Sequence, residues 1–483
     1  MNIAHLKAKI LDLAIRGKLT EQRPEEGSAE ELLERIREEK QRLIAEGKLK
    51  KEKPLPDITE DEIPFNIPVG WKWVRLGEIC DYGKCENANP SQLQSDSWIL
   101  DLEDIEKGTA RILRFYTFSQ RNSQSTKHIF KKGDVLYSKL RPYLNKVVIA
   151  PQDGFCTSEI LPLDFQGAYY NSFAQKLLMS PYFLSTVNML TYGVKMPRLG
   201  KDDAVQILLP LPPLAEQKRI VEKIEQIFRQ ADTIEQNRLA LKTAVRHTKS
   251  RVLDLAVRGK LTEQRPEEGS AEELLERIRE EKQRLIAEGK LKKEKPLPEI
   301  TEDEIPFDIP AGWKWVRLGE IGTWQAGCTP DTTRKDFYEN GTIPWINSAD
   351  LTDGYIDTIT HYVTEKAFAE KKMRLNKTGA VCVAMYGATI GKTGILTVDA
   401  TTNQAVCVCN LLSSMDSKYL FYFLQFHKPF FVMKGFGGAQ PNISKEKIEN
   451  TPFPLPLLAE QKRIAEKIEQ IFGTLDIIEK AVE

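Results

Sequence analysis

Between Leu214 and Val257 one line of apolar residues runs through Ile220, Ile224, Ile227, Ala231 and Ile234, and resumes at Leu241, Val245, Val252 and Leu255. The stepping is 4-3-4-3, interrupted only by Arg238 and Thr248. This is the heptad pattern of a coiled coil, and with no proline or glycine before Gly259 it predicts one unbroken helix. At about 1.5 Å per residue the helix would be roughly 66 Å long. The first half of the seam recurs near the C-terminus, at Ile464, Ile468, Ile471, Leu475, Ile478 and Val482, and the second half at the N-terminus, at Ile3, Leu6, Ile10 and Leu13. Laid end to end, the two ends of the chain rebuild a copy of the central helix. An antiparallel two-helix coil with a pseudo-twofold axis and adjacent termini is expected; a coil that only dimerises the protein is the competing reading.

The seam is part of a larger duplication. Residues Ile10 to Ile79 return at Val252 to Ile321 with five mild substitutions: Ile10/Val252, Ile15/Val257, Asp57/Glu299, Asn66/Asp308 and Val69/Ala311. A shorter repeat follows each copy, PLPPLAEQKRIVEKIEQIF at 210–228 and PLPLLAEQKRIAEKIEQIF at 454–472. The segments between, about 73–209 and 315–453, match in length but hardly in sequence. A near-identical scaffold beside divergent inserts implies that the scaffold meets the same thing twice and the inserts meet two different things.

Within the scaffold, Ser28 and Glu31 form a capping box that opens a charged helix closing near Gly47. Residues 17–56 are identical to 259–298, so either the duplication is recent or this surface docks a partner, and then two copies of it. From Pro64 and Trp71 onward the pattern changes to short β-like runs: SWILDLED, GDVLYSKL and KVVIAP in the first insert, IPWINSAD, AVCVAMYG, TGILTVD and QAVCVCNLL in the second. Aromatic-rich helical runs follow, YFLSTVNMLTYG and YLFYFLQFHKPFFVMKGFG. Each insert fits a compact α/β domain of about 140 residues. Shared landmarks indicate one fold used twice: Tyr137 with SKLRPYLNK against Tyr386 with GATIGKTG, CTSE (156–159) against TTNQ (401–404), and GVKMPRLGK (193–201) against GGAQPNISK (437–445).

Composition changes this picture little. The net charge is zero, but residues 71–209 hold 17 Lys and Arg against 14 Asp and Glu, and residues 313–453 hold 15 against 13, so the inserts are slightly basic and the scaffold slightly acidic. That permits contact with nucleic acid without arguing for it. Seven cysteines without a CxxC pair, no long apolar run and no secretory leader point to a reduced, cytoplasmic protein with no membrane contact. Cys407 and Cys409 lie on one strand face as small hydrophobes, and the five histidines suggest no metal site.

Candidate chemistry is sparse. GATIGKT (387–393) has three residues between its glycines where a phosphate-binding loop has four, and it leads into a β-like run, so Lys392 is expected at a hairpin tip. Pro330-Asp331 with Glu370 and Lys372 only loosely matches a nuclease pattern and occurs in one insert; no cofactor turn or methyltransferase tetrad is present. What remains at the shared turns suits the reading of base edges. These residues are Lys139, Arg141, Tyr143, Asn145, Lys146, Lys195 and Arg198 in the first insert, and Asn347, Ser348, Lys392, Thr393, Asn403, Gln404, Gln440 and Asn442 in the second. Arg and Lys suit guanine, Asn and Gln suit adenine, and others would hold phosphates.

The alternation of insert and LAEQKRI helix, the GW-x-W-x-x-LGEI start of each insert, and the runs IPWINSADL, TTNQAV and GGAQPNIS together resemble the specificity subunit of type I restriction-modification systems. The resemblance covers essentially the whole chain, although TTNQAV and GGAQPNIS are clear in the second insert only. It implies α/β (α+β) target recognition domains in two copies, joined by long antiparallel coiled-coil helices in an internal pseudo-twofold repeat. The corresponding boundaries are 1–63, a half coil with a charged helix; 64–213, the first recognition domain; 214–305, the central helix with a second charged helix; 306–457, the second recognition domain; and 458–483, the C-terminal coil helix. It further implies a non-catalytic subunit that reads a bipartite, asymmetric site in double-stranded DNA and docks two methyltransferase subunits, with restriction subunits joining. The chain would hold no cofactor of its own; S-adenosylmethionine, ATP and magnesium would belong to the partners. Leu11 to Gly17, Leu253 to Gly259, the LAEQ helices and the charged helices are the expected docking surfaces. A specificity subunit of a fused restriction-methylation enzyme, or a coiled-coil scaffold presenting two protein-binding domains, are the alternatives.

Overall fold

The central heptad run forms a single helix, Leu214–Val257, as its spacing requires. A computed structural model describes residues 2–47, 54–191, 195–293, 295–435 and 442–482. The chain divides into two compact units, Met1–Asn237 and Arg238–Glu483, so the first half of this helix belongs to one unit and the second half to the other.

In the first unit, the N-terminal helix Ile3–Ile15 runs antiparallel to the first half of the central helix. Leu11, Ala14 and Ile15 pack with Ile220, Val221 and Ile224 in one core, and Lys7 reaches Asp232 at 2.5 Å. In the second unit, the C-terminal helix Leu458–Ala481 pairs in the same way with the second half: Val252, Leu253 and Ala256 share a core with Ile464 and Ile468, and Lys249 reaches Asp476 at 2.5 Å. The seam residues Ile234 and Leu241 stay 50% and 37% exposed.

The N-terminal helix stops at Gly17, whose φ of 65° lets its N–H bond the Ala14 carbonyl while Lys18 bonds Leu13. A Cβ on Gly17 would lie 2.3 Å from Pro68, and one on Gly259 2.4 Å from Pro310, so neither position admits a side chain. The charged helices Ala29–Ala45 and Ala271–Ala287 are opened by Ser28 and Ser270, each hydroxyl accepting a backbone N–H three residues on. Few as their apolar residues are, Ala29, Leu32, Leu33 and Ile36 are buried, as are Ala271, Leu274, Leu275 and Ile278.

Each insert leaves and rejoins the scaffold through one antiparallel pair. In the first unit this is β1 (Lys72–Arg75) with β10 (Leu208–Leu211). Between them lie β2 (Asn87–Ala88), β3 (Trp98–Leu100), β4 (Tyr116–Thr117), β5 (Lys127–Phe130), β6 (Val135–Ser138), β7 (Val147–Ile149), β8 (Gly154–Thr157) and β9 (Ile160–Leu163). They form a five-stranded sheet, β2-β5-β8-β3-β4, and a three-stranded sheet, β7-β6-β9. In the second unit β11 (Lys314–Arg317) pairs with β20 (Pro452–Leu455). The intervening strands are β12 (Gly322–Ala326), β13 (Ile343–Ile346), β14 (Gly354–Ile356), β15 (Tyr362–Val363), β16 (Val381–Ala384), β17 (Thr393–Leu396), β18 (Thr401–Thr402) and β19 (Val406–Leu411). Here the sheets are β12-β19-β16-β17-β14 and β15-β13-β18. The aromatic helices Pro181–Leu190 and Ser417–Gly435 contribute Phe183 to the core of the first unit and Tyr419, Leu420 and Phe423 to that of the second. Cys407 and Cys409 are fully buried, and burial pushes the Cys407 thiol up to about 12.

The LAEQKR motif clasps the scaffold to its insert. Glu216 accepts from Trp71 Nε1 at 2.8 Å and Gln22 at 2.8 Å; Glu460 accepts from Trp313 Nε1 at 2.8 Å and Gln264 at 2.6 Å. Gln217 donates to the carbonyls of Ala168 and Pro212, and its own carbonyl accepts from Tyr170; Gln461 donates to Pro456 and accepts from Asp416. These four side chains are buried and engaged within their own unit.

Candidate nucleic-acid interface

The landmark turns of the first insert gather at the end of β6, which is taken as its tip. The loop 139–146 that follows is held by three backbone contacts: Lys139 N–H to the Glu159 carbonyl (3.0 Å), Leu199 N–H to the Lys139 carbonyl (3.1 Å), and Arg141 N–H to the Pro197 carbonyl (2.7 Å). Leu140 bridges Arg198. All three landmark turns of the sequence therefore meet, and they gather Lys139, Arg141, Tyr143, Lys195 and Arg198. Arg141, Tyr143, Lys195 and Arg198 are exposed. Arg198 donates through Nε and Nη2 to Glu159 at 2.9–3.2 Å, a bond that raises the guanidinium above its ordinary range. Asn145 and Lys146 turn inward: Asn145 Nδ2 donates to the Met179 carbonyl (3.1 Å) and Lys146 Nζ to the Leu102 carbonyl (2.6 Å). Partial burial lowers the Lys146 ammonium from its ordinary value, opposed by Asp104 and Glu103.

The second tip repeats this frame, with an offset of 246 residues along the hairpin and 244 between Arg198 and Asn442. Met385 N–H donates to the Ala405 carbonyl (2.8 Å), Ala384 N–H to Lys392 (2.8 Å) as Ser138 does to Lys146 (3.1 Å), and Tyr386 bridges Asn442. Leu140 is thus the counterpart of Tyr386, three residues further on than the Tyr137 landmark suggests. Ladders set register by hydrogen bonds, and the two tyrosines are a coincidence of sequence. Asn403 N–H donates to the Ile346 carbonyl (2.9 Å) and its Nδ2 to Asn347 Oδ1 (3.1 Å), which brings Asn347 and the adjoining Ser348 beside Asn403 and the exposed Gln404. Asn442 is exposed at the same end, and Lys392 is half-buried at the hairpin base. Thr393 is fully buried, with its N–H and hydroxyl both donating to Asp353 Oδ1 (2.9 and 3.2 Å), so it fixes a turn. Gln440 lies outside the described residues.

GATIGKT is the tip hairpin itself, a turn at Gly387–Thr389 followed by β17 rather than by a helix. Asp331 accepts from Thr333 and Glu370 pairs with Arg334, so the carboxylates of the loose nuclease pattern have local partners. Among the described residues no cluster of three or more His, Cys, Asp or Glu could hold a metal ion, and no helix is long and apolar enough to cross a membrane. Glu159 and Tyr386, the latter 42% exposed, belong to the tips but do not stand out as ligand-facing in the sequence. Their positions inside CTSE and just before GATIGKT were the available signals.

Two tips built on one backbone frame and differing in side chains are the arrangement of a repeated recognition module. The family model described as the type I restriction modification DNA specificity domain matches residues 68–243 and 310–483. The chain belongs to this family. It is a specificity subunit of the type I class with two target recognition domains. It is similar to the EcoAI specificity subunit of Escherichia coli, 27% identical over 98% of this chain and 89% of that one, and to the EcoEI specificity subunit of the same organism, 27% identical over 100% and 91%. Such relatives are named for specificity, the DNA-recognising role, and not for a catalytic subunit. In fold it is similar to the HsdS subunit of Thermoanaerobacter tengcongensis (21% identity, TM-score 0.56, 87% of this chain and 93% of that one). It is also similar to a chain of a type I R-M system studied for complex assembly and conformational transition (22%, TM-score 0.60, 87% and 94%).

Proposed function

We propose that this specificity subunit reads a bipartite, asymmetric site in double-stranded DNA, one half with each tip, and carries two methyltransferase subunits on its duplicated scaffold. The boundaries proposed are those of the repeat, with recognition domains at 64–213 and 306–457. The observation that carries the reading is the contrast between the two halves of each unit. The clasp of Trp71 and Gln22 on Glu216 recurs as Trp313 and Gln264 on Glu460, whereas the tips keep backbone bonds and exchange the side chains. A constant surface met twice suits two copies of one partner, and two different tips suit two different base sequences.

The docking surface is the exposed face of the charged helices and coil, since the LAEQ side chains and the buried faces of Leu11 to Gly17 and Leu253 to Gly259 are occupied internally. S-adenosylmethionine, ATP and magnesium act on the methyltransferase and restriction subunits, in the cytoplasm where the DNA lies. Native mass spectrometry of the chain co-expressed with its methyltransferase tests the assembly. One copy of this chain with two methyltransferases is expected; a one-to-one complex at saturating methyltransferase would contradict it.

A further inference from the structure

The shared frame makes Glu159 the counterpart of Ala405, because each carbonyl accepts the same N–H of the tip strand, and Arg198 the counterpart of Asn442, because each forms the same bridge. The chemistry at these paired positions is different. In the first tip the Glu159 carboxylate takes the Nε and Nη2 protons of Arg198 from one side. The side chain remains half exposed, and the terminal edge of the guanidinium, Nη1 with the outer Nη2 proton, has no hydrogen-bond partner among the described residues and is left as a fork of two parallel donors. That fork matches the O6 and N7 acceptors of guanine in the major groove. Held by a carboxylate, it loses less freedom on binding than a loose arginine would. In the second tip Ala405 offers Asn442 no side-chain partner, and the Asn442 amide presents a donor and an acceptor, the pattern that pairs with adenine. The surrounding charge follows the same division: Lys139, Arg141 and Arg198 stand where the second tip has Met385, Gly387 and Asn442.

We propose that Arg198 reads a guanine in the first half-site, that Glu159 is the positioning residue that holds it, and that the paired positions 159/198 and 405/442 set which base each tip takes. This rests on the DNA-reading function proposed above. The test uses the complex of this chain with its methyltransferase to select duplexes from a randomised pool, for the wild type and for Arg198→Ala, Arg198→Lys, Glu159→Gln and Glu159→Ala. Arg198→Ala is expected to reduce the preference for guanine at one position of one half-site by about tenfold or more, with the other half unchanged. Glu159→Ala relaxes that same position by a smaller factor. Glu159→Gln, which keeps one acceptor for the guanidinium, falls between Glu159→Ala and the wild type. Arg198→Lys does not restore the preference, because one ammonium cannot form the two parallel bonds. Intact selection of the second half shows in the same experiment that each variant folded and assembled. The proposal is overturned if the affected position is not a guanine, if Arg198→Ala leaves the motif unchanged, or if all four variants weaken every position alike. A wild-type complex that enriches no motif would instead overturn the DNA-reading function.

Discussion

Four residues at the two tips sit in left-handed backbone, Arg141 (φ 50°) and Asn145 (48°) in the first, Gly387 (63°) and Gly391 (76°) in the second, at equivalent places. Glycine adopts this conformation freely, and asparagine tolerates it; arginine gives up about 1–2 kcal/mol. Arg141→Gly is therefore expected to raise stability by about 1 kcal/mol in thermal unfolding while weakening DNA binding. Unchanged binding would show that its side chain is not used. A second residue-scale expectation concerns Glu460, whose two oxygens each accept from a different donor, Trp313 and Gln264. Burial raises its carboxyl above the ordinary range, with those two bonds opposing. A glutamine presents one acceptor and one donor, so Glu460→Gln leaves an N–H facing an N–H and is expected to cost about 1–3 kcal/mol by chemical denaturation. At this scale the sequence was only partly legible. It picked polar residues at turns, but a turn asparagine or lysine serves a carbonyl of its own chain as readily as a ligand. That is where Asn145, Lys146 and Thr393 went, while Glu159 was hidden in a turn recognised only as a landmark.

Elements were far easier to read. Heptad stepping located the central helix from Leu214 to Val257, and a serine followed by a glutamate three residues on located the start of the charged helix, because both signals are local. The helix Asn171–Leu178 and the two-residue strands β2, β4, β15 and β18 carried no such signal, since partners distant in sequence create them. Ile224 and Ile468 occupy equivalent places in the two seams and are fully buried. Truncating either to alanine is expected to cost about 2–5 kcal/mol, and by similar amounts, in separate denaturation experiments. A clear inequality would mean that the two halves of the coil are not equivalent. The loop that clamps β11 makes a pH-dependent contribution. A hydrogen bond from Arg317 at 2.6 Å holds Glu304 at about 2, against an ordinary 4.5. Because the folded value is depressed, this contribution is present above about pH 4.5 and is lost as pH falls toward about 2. Glu304→Gln is expected to flatten the fall in melting temperature over that window.

For the whole molecule, the repeat itself was the most legible feature, since near-identity over the scaffold needs no structural inference, and family membership follows from the same runs. The bases read were not legible, because several side chains and DNA shape act together at each position. One helix shared by two units makes its length a ruler between the half-sites in the proposed function. Inserting one heptad near Leu239 is expected to lengthen the gap in the recognised sequence and leave both half-site sequences as they were; an unchanged gap would remove the ruler. The account as a whole is tested most directly by expressing this chain with its methyltransferase and mapping adenine methylation across the host genome by single-molecule sequencing. The expected result is one split, asymmetric motif with a methylated adenine in each half, on opposite strands. An active methyltransferase that binds this chain and marks no such motif would contradict it.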